Sequence, residues 1–140
     1  MNIPGGWKKV NALRYFSFYL PPNAWDTGHQ ALDEFYKEYR IRKMRFLFIH
    51  NPMGHLSYRM RERVFGKGFQ ESVIEIDGKK AYLFNYIKNE RGRKMYHIDL
   101  YVGDYAANDE VELCMKAESR TPADVEIARK IFGTVKFLKP

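Results

Sequence analysis

The strongest constraint on this chain lies in residues 71–103, where two-residue alternation is interrupted twice by turn sequences. Ile74 and Ile76 share one side of a strand that ends at Asp77-Gly78, a dipeptide in which both positions tolerate positive φ and which therefore closes a hairpin. The next segment, Ala81 to Ile87, sets Tyr82, Phe84 and Tyr86 against Ala81, Leu83, Asn85 and Ile87. Both of its sides are largely apolar, so it is expected inside a sheet. Asn89-Glu90-Arg91-Gly92 is a second turn, and Tyr96, Ile98, Leu100 and Val102 then alternate with Met95, His97, Asp99 and Tyr101. After a polar loop from Gly103 to Asp109, Val111, Leu113, Met115 and Ala117 alternate with Glu110, Glu112, Cys114, Lys116 and Glu118. This last pattern predicts a strand with one apolar and one solvated face. Strands joined by such short connections pair antiparallel, so the second half of the chain reads as a meander.

The first half is less regular. Phe16, Phe18 and Leu20 fall on one side of a strand and Tyr15, Ser17 and Tyr19 on the other, and Pro21-Pro22 stops it by removing two ladder donors. Trp25 is expected to fold back over an edge of the core. Thr27 with Gln30 forms a capping-box pattern, and Leu32, Phe35, Tyr36 and Tyr39 have helical spacing, which predicts a helix over 28–41. Met44, Phe46, Phe48 and His50 alternate with Arg45, Leu47 and Ile49 and predict a strand. Asn51-Pro52-Met53-Gly54 is a turn, residues 55–64 fit a helix or a strand equally, and Gly66-Lys67-Gly68 closes that element. At the end of the chain, Thr121 is an N-cap candidate with Pro122 at the first helical position and Asp124 in the first turn. Val125, Ala128, Ile131 and Phe132 form an apolar stripe, Gly133 can end the helix, and Val135 to Phe137 is extended. The inventory is an α/β (α+β) fold of about six mostly antiparallel strands and two main helices, in a single domain over 1–140.

The opening Phe16-Ser17-Phe18-Tyr19-Leu20-Pro21-Pro22-Asn23-Ala24-Trp25, the closing Ala117-Glu118-Ser119 with the helix that follows, and the final Val135-Lys136-Phe137 together resemble the Mog1/PsbP/DcrB-like superfamily of small α/β/α sandwiches. The resemblance implies a non-enzymatic binding role, since that superfamily includes transport factors, photosystem subunits, envelope proteins and secretion adaptors. It brings no shared catalytic residues to this chain.

The formal charge of +7 is unevenly placed. Residues 1–70 carry 12 basic and 5 acidic side chains, and residues 71–140 carry 12 of each, so the excess belongs to the first half. It is concentrated in Arg40, Arg42, Lys43 and Arg45 and in Arg59, Arg61 and Arg63. A basic surface of this kind speeds encounter with acidic partners, and aromatics beside it anchor the contact. Those seven residues, with Trp25, Tyr39 and Tyr58, are the expected partner-binding set of an adaptor or immunity-type protein that engages an acidic protein. A nucleic-acid partner is the alternative, because the same charges attract phosphates and the aromatics can stack on bases. A membrane surface fits less well, because no long exposed apolar face accompanies the basic block. The oligomeric state is left open.

Other chemistry finds little support. The single cysteine, Cys114, excludes an intrachain disulfide and an all-thiolate metal cage. Its neighbours Glu112 and Glu118 oppose a thiolate, and only an approach by His97 from an adjacent strand would suggest an enzyme. Ser57 and Ser119 have no identifiable base. The carboxylates Glu110, Glu112 and Glu118 show the spacing of a solvated strand face. His29, His50, His55 and His97 match no metal-ligand motif, although His50 and His55 with Asp99 or Glu112 would make a set if the fold brought them together. No metal, cofactor or catalytic residue is therefore assigned. No apolar run reaches the roughly 18–20 residues that span a bilayer. A start without a leader pattern points to the cytoplasm by default, or to an envelope or secreted location if a leader has been removed.

Overall fold

A computed structural model describes residues 3–12, 15–28, 35–51, 67–103 and 112–138. Within them lie strands β1 (Lys8–Ala12), β2 (Phe16–Leu20), β3 (Trp25–Asp26), β4 (Phe35–Ile41), β5 (Met44–Asn51), β6 (Lys67–Ile76), β7 (Lys79–Glu90), β8 (Arg93–Gly103) and β9 (Glu112–Ser119). Helix α1 (Pro122–Gly133) and strand β10 (Lys136–Phe137) follow. Among the described residues the strands form a seven-stranded antiparallel sheet, ordered β3-β4-β5-β9-β8-β7-β6, and a three-stranded sheet, β1-β2-β10.

The expected meander is present as β6 to β9. Asp77-Gly78 and Arg91-Gly92 both turn with positive φ at each position, the type I′ geometry that matches strand twist. Strand β7 lies between β6 and β8, and it buries Ala81 and Leu83 on one face and Phe84 and Tyr86 on the other. The large sheet lays Phe46, Phe48, Leu100, Leu113 and Met115, all fully buried, against α1 and the small sheet. Phe18 of β2 meets Phe48 edge-on at 5.5 Å, and Phe132 of α1 reaches Phe46 at 6.1 Å. The helix begins where expected, although Thr121 makes no side-chain cap. The hydroxyl of Ser119 accepts from the Thr121 amide at 3.2 Å and donates to Asp124 at 2.8 Å, which ties β9 to the first helical turn. Ser119 thus has a structural role rather than a nucleophilic one.

Several expectations are corrected. Residues 35–41 of the predicted 28–41 helix are strand β4, paired residue for residue with β5; residues 29–34 lie outside the described residues. The cause is a two-residue hairpin at Arg42-Lys43, where Arg42 takes a φ of 57° without help from glycine or asparagine. The amide and hydroxyl of Thr27 both donate to the Glu38 carbonyl on β4, and Gln30 of the expected capping box lies outside the described residues. Lys37 of β4 meets Asp26 of β3 at 3.1 Å. Trp25 does not cover the core and is 58% exposed on edge strand β3. Lys67 and Gly68 open β6, and residues 52–66, with the ambiguous 55–64 segment that Gly66-Lys67-Gly68 is expected to close, lie outside the described residues. Strand β9 is not one-sided: Glu112 and Cys114 are buried on the face that was expected to be solvated.

Truncating Phe18 in this core removes contacts to Phe16, Phe46 and Phe48. Phe18→Ala is expected to cost about 3–5 kcal/mol in urea unfolding, whereas Val73→Ala at an exposed position should stay within about 0.5 kcal/mol. His50, stacked on Tyr15 at 4.3 Å, is pushed by burial down to about 4. Between pH 6.5 and 4 the unfolded chain therefore binds a proton that the native state refuses, and stability is lost as pH falls through that window. Asp99, raised by burial to about 6, contributes with the opposite sign below pH 6. The His50 contribution is isolated as a difference. His50→Leu should gain about 2 kcal/mol relative to the native sequence between pH 7 and pH 5. A pH-independent difference in urea midpoints would refute the assignment.

Candidate functional site

The sheet face turned away from α1 carries the candidate site. Register alone assembles it. Trp25 of β3 lies opposite Arg40 of β4, Arg40 opposite Arg45 of β5, and Arg45 opposite Glu118 of β9. Glu118 lies opposite His97 of β8, and His97 opposite Tyr86 of β7. One cross-strand row thus crosses six strands and passes from an exposed aromatic through basic and acidic groups to a buried imidazole. The neighbouring row holds Glu38, Leu47, Lys116, Asp99 and Phe84.

Arg45 is the hub. It forms an ion pair with buried Glu38, lies 3.4 Å from Glu118, and donates to the Tyr36 hydroxyl at 3.2 Å. Opposite charges directly across strands support one another. Further along the row His97 stacks flat on Tyr86 at 4.7 Å, with Nδ1 3.7 Å from Glu118 and Nε2 3.8 Å from Glu90. Burial holds its imidazole below the ordinary range, against the pull of Glu118. Asp99 accepts from the Tyr86 hydroxyl at 2.9 Å and stands 3.8 Å from Lys116. Arg45, Lys88, Glu90, His97, Lys116 and Glu118 line a cavity of about 220 Å³.

The expected contact residues are divided by this arrangement. Arg42 and Lys43 are exposed at the β4–β5 turn, with Arg40 and Trp25 beside them. Arg45 is half-buried and ion-paired with Glu38. Tyr39 is 6% exposed and packs edge-on to Phe18, so it belongs to the core and not to an exposed anchor set. Tyr58, Arg59, Arg61 and Arg63 lie outside the described residues. The Cys114–His97 pairing does not form: Cys114 faces Tyr101, His97 faces Glu118, and burial pushes the thiol far up. Glu112 is buried and accepts from the Tyr101 hydroxyl at 2.5 Å, so it is not part of a solvated acidic row. His50 lies on the helix-covered face and Asp99 and Glu112 on the other, which separates that metal set. The grouping of Glu90, His97 and Glu118 was missed. The period-two patterns of β8 and β9 put His97 and Glu118 on one face, but the register that aligns them is a tertiary fact.

No protein-family model and no curated protein matches the sequence. Among solved structures, a protein from Bacteroides thetaiotaomicron superposes with a TM-score of 0.67 at 10% identity, over 94% of this chain and 48% of the other. This chain thus spans about half the length of that protein. PA94, a protein of unknown function from Pseudomonas aeruginosa, superposes with a TM-score of 0.47 at 15% identity, over 89% and 90% of the two chains. The likeness is one of fold, a small mixed α/β sandwich. No helix of the described residues is long and apolar enough to cross a membrane.

The hub carries a stability prediction. Arg45→Met leaves the Glu38 carboxylate buried without its guanidinium and is expected to cost about 2–3 kcal/mol. The double variant Glu38→Leu/Arg45→Met should recover most of that loss in urea unfolding. Equal destabilisation of the single and double variants would show that the pair is not coupled.

Proposed function

We propose that this protein is a non-catalytic binding protein, in the manner of the Mog1/PsbP/DcrB-like sandwiches that its sequence resembles, and that it engages an acidic protein partner. The contact is built at the β3–β4–β5 corner. The observation that carries the reading is Trp25, a large aromatic left 58% exposed on an edge strand directly opposite Arg40. Arg42 and Lys43 lie exposed at the turn two and three residues further on. A solvent-facing tryptophan beside three cations offers an anchor with a steering field around it. Folding does not require this exposure, since β3 is only two residues long and the ring adds nothing to the core. Tyr58, Arg59, Arg61 and Arg63 stay in the proposed contact set on their sequence alone.

The test is affinity capture and salt-controlled titration with the native protein, Trp25→Ala and the charge reversal Arg40→Glu/Arg42→Glu/Lys43→Glu, each checked for folding by circular dichroism. Partner affinity should fall by about tenfold or more in each variant, and the native protein should lose affinity as salt rises. Unchanged affinity in the folded variants would refute the assignment, as would preferential capture of nucleic acid.

A further inference from the structure

We infer that Glu90, His97 and Glu118 form a binding site for a first-row divalent transition cation of the zinc type, with His97 Nε2 as the imidazole donor. One donor atom from each residue lies within 4.8 Å of the others. Two of the three sit on the β7–β8 hairpin and the third on β9, so the set spans three adjacent strands whose register is continuous.

The imidazole is the fixed member. The His97 side chain is 8% exposed and its ring is held flat against Tyr86, while Nε2 has no hydrogen-bond partner among the described residues. A buried ring nitrogen without a partner is uncommon and calls for an explanation. Here it stands 3.8 Å from the Glu90 carboxylate, and both residues line a cavity of about 220 Å³. That spacing is too long for a hydrogen bond and suits an ion between the two groups. The carboxylates are the adjustable members. Glu90 and Glu118 are 48% and 31% exposed; Glu90 stands 3.8 Å from Nε2 and Glu118 3.7 Å from Nδ1, so tetrahedral coordination at about 2.0–2.2 Å on Nε2 asks Glu90 to draw in and Glu118 to swing along the ring edge. The cavity leaves the remaining coordination position to water.

The surrounding cations decide which metal fits. Lys88, Lys116 and Arg45 line the same cavity, but each has another engagement. Arg45 is paired with Glu38 and holds Glu118 through Oε1 at 3.4 Å, with Oε2 the oxygen nearer His97; Lys116 stands 3.8 Å from Asp99, and Lys88 lies over the Tyr86 ring at 5.5 Å. Magnesium and calcium need cages of oxygen donors with a surplus of negative charge, which this site does not offer. A single imidazole with two carboxylates suits zinc or cobalt.

The experiment is calorimetric titration of the tag-free full chain with Zn²⁺, Co²⁺ and Mg²⁺, together with histidine-ring NMR. Zn²⁺ and Co²⁺ should bind one per chain, the His97 ring signals should shift on binding, and Mg²⁺ should not bind. Because His97→Gln alters a buried residue, the deciding variant is Glu90→Gln at the exposed hairpin end. It should weaken Zn²⁺ by about tenfold or more without changing the metal-free melting temperature. The inference is overturned by Zn²⁺ binding weaker than about 1 mM, by equal affinity for Mg²⁺, by an unshifted His97 ring, or by unchanged Zn²⁺ affinity in Glu90→Gln.

Discussion

The pairing of β5 with β9 is the contact on which the rest of the large sheet depends. It joins an N-terminal hairpin to a C-terminal meander, and Arg45 and Glu118, which meet across it, are 73 residues apart in sequence. Closing such a separation costs chain entropy before any contact repays it, so this pairing is expected to form late in folding. Its register is strongly specified. A slip of one residue would turn Phe46 and Phe48 away from Phe18 and set Arg45 and Leu47 into the aromatic core. The ion pair with Glu38 and the Glu118 contact complete the register from the other face.

The two faces of the sheet follow different rules. The face under α1 is a continuous apolar core whose stability comes from area and packing. The other face buries Glu38, His97, Asp99 and Glu112 among Phe84, Tyr86, Tyr101 and Cys114. Buried charges bring little net stability once desolvation is counted, so such a face is poorly explained by folding alone. The sharp contrast between the faces is what makes a function for the polar one worth seeking.

How much of this was legible in the sequence depended on the turns. Asp77-Gly78 and Arg91-Gly92 have the residues that positive φ favours, and the meander around them was readable strand by strand. Arg42-Lys43 makes an equally tight turn without such a residue, and β4 was therefore mistaken for a helix. The segment Phe35–Ile41 fits either periodicity, and only its pairing with β5 decides. The helix-covered face was visible as alternating apolar residues. The polar face was not, because Cys114, Glu112 and His97 have the spacing of a solvated strand side and only the fold shows them buried. The same holds for the cross-strand row from Trp25 to Tyr86, each member of which is unremarkable in its own segment.

Among the described residues, strand β6 closes the far side of the sheet and leaves Phe69 and Val73 in contact with solvent. Between and beyond them stand Glu71 and Glu75, both exposed. An apolar edge of ten residues would invite a second chain to add to the ladder. Two copies of β6 laid antiparallel about Glu71 would bring that carboxylate against its own counterpart while matching Phe69 with Val73. That register also sets Lys67 against Glu75 at each end, so charge as well as apolar matching decides how such an edge would pair.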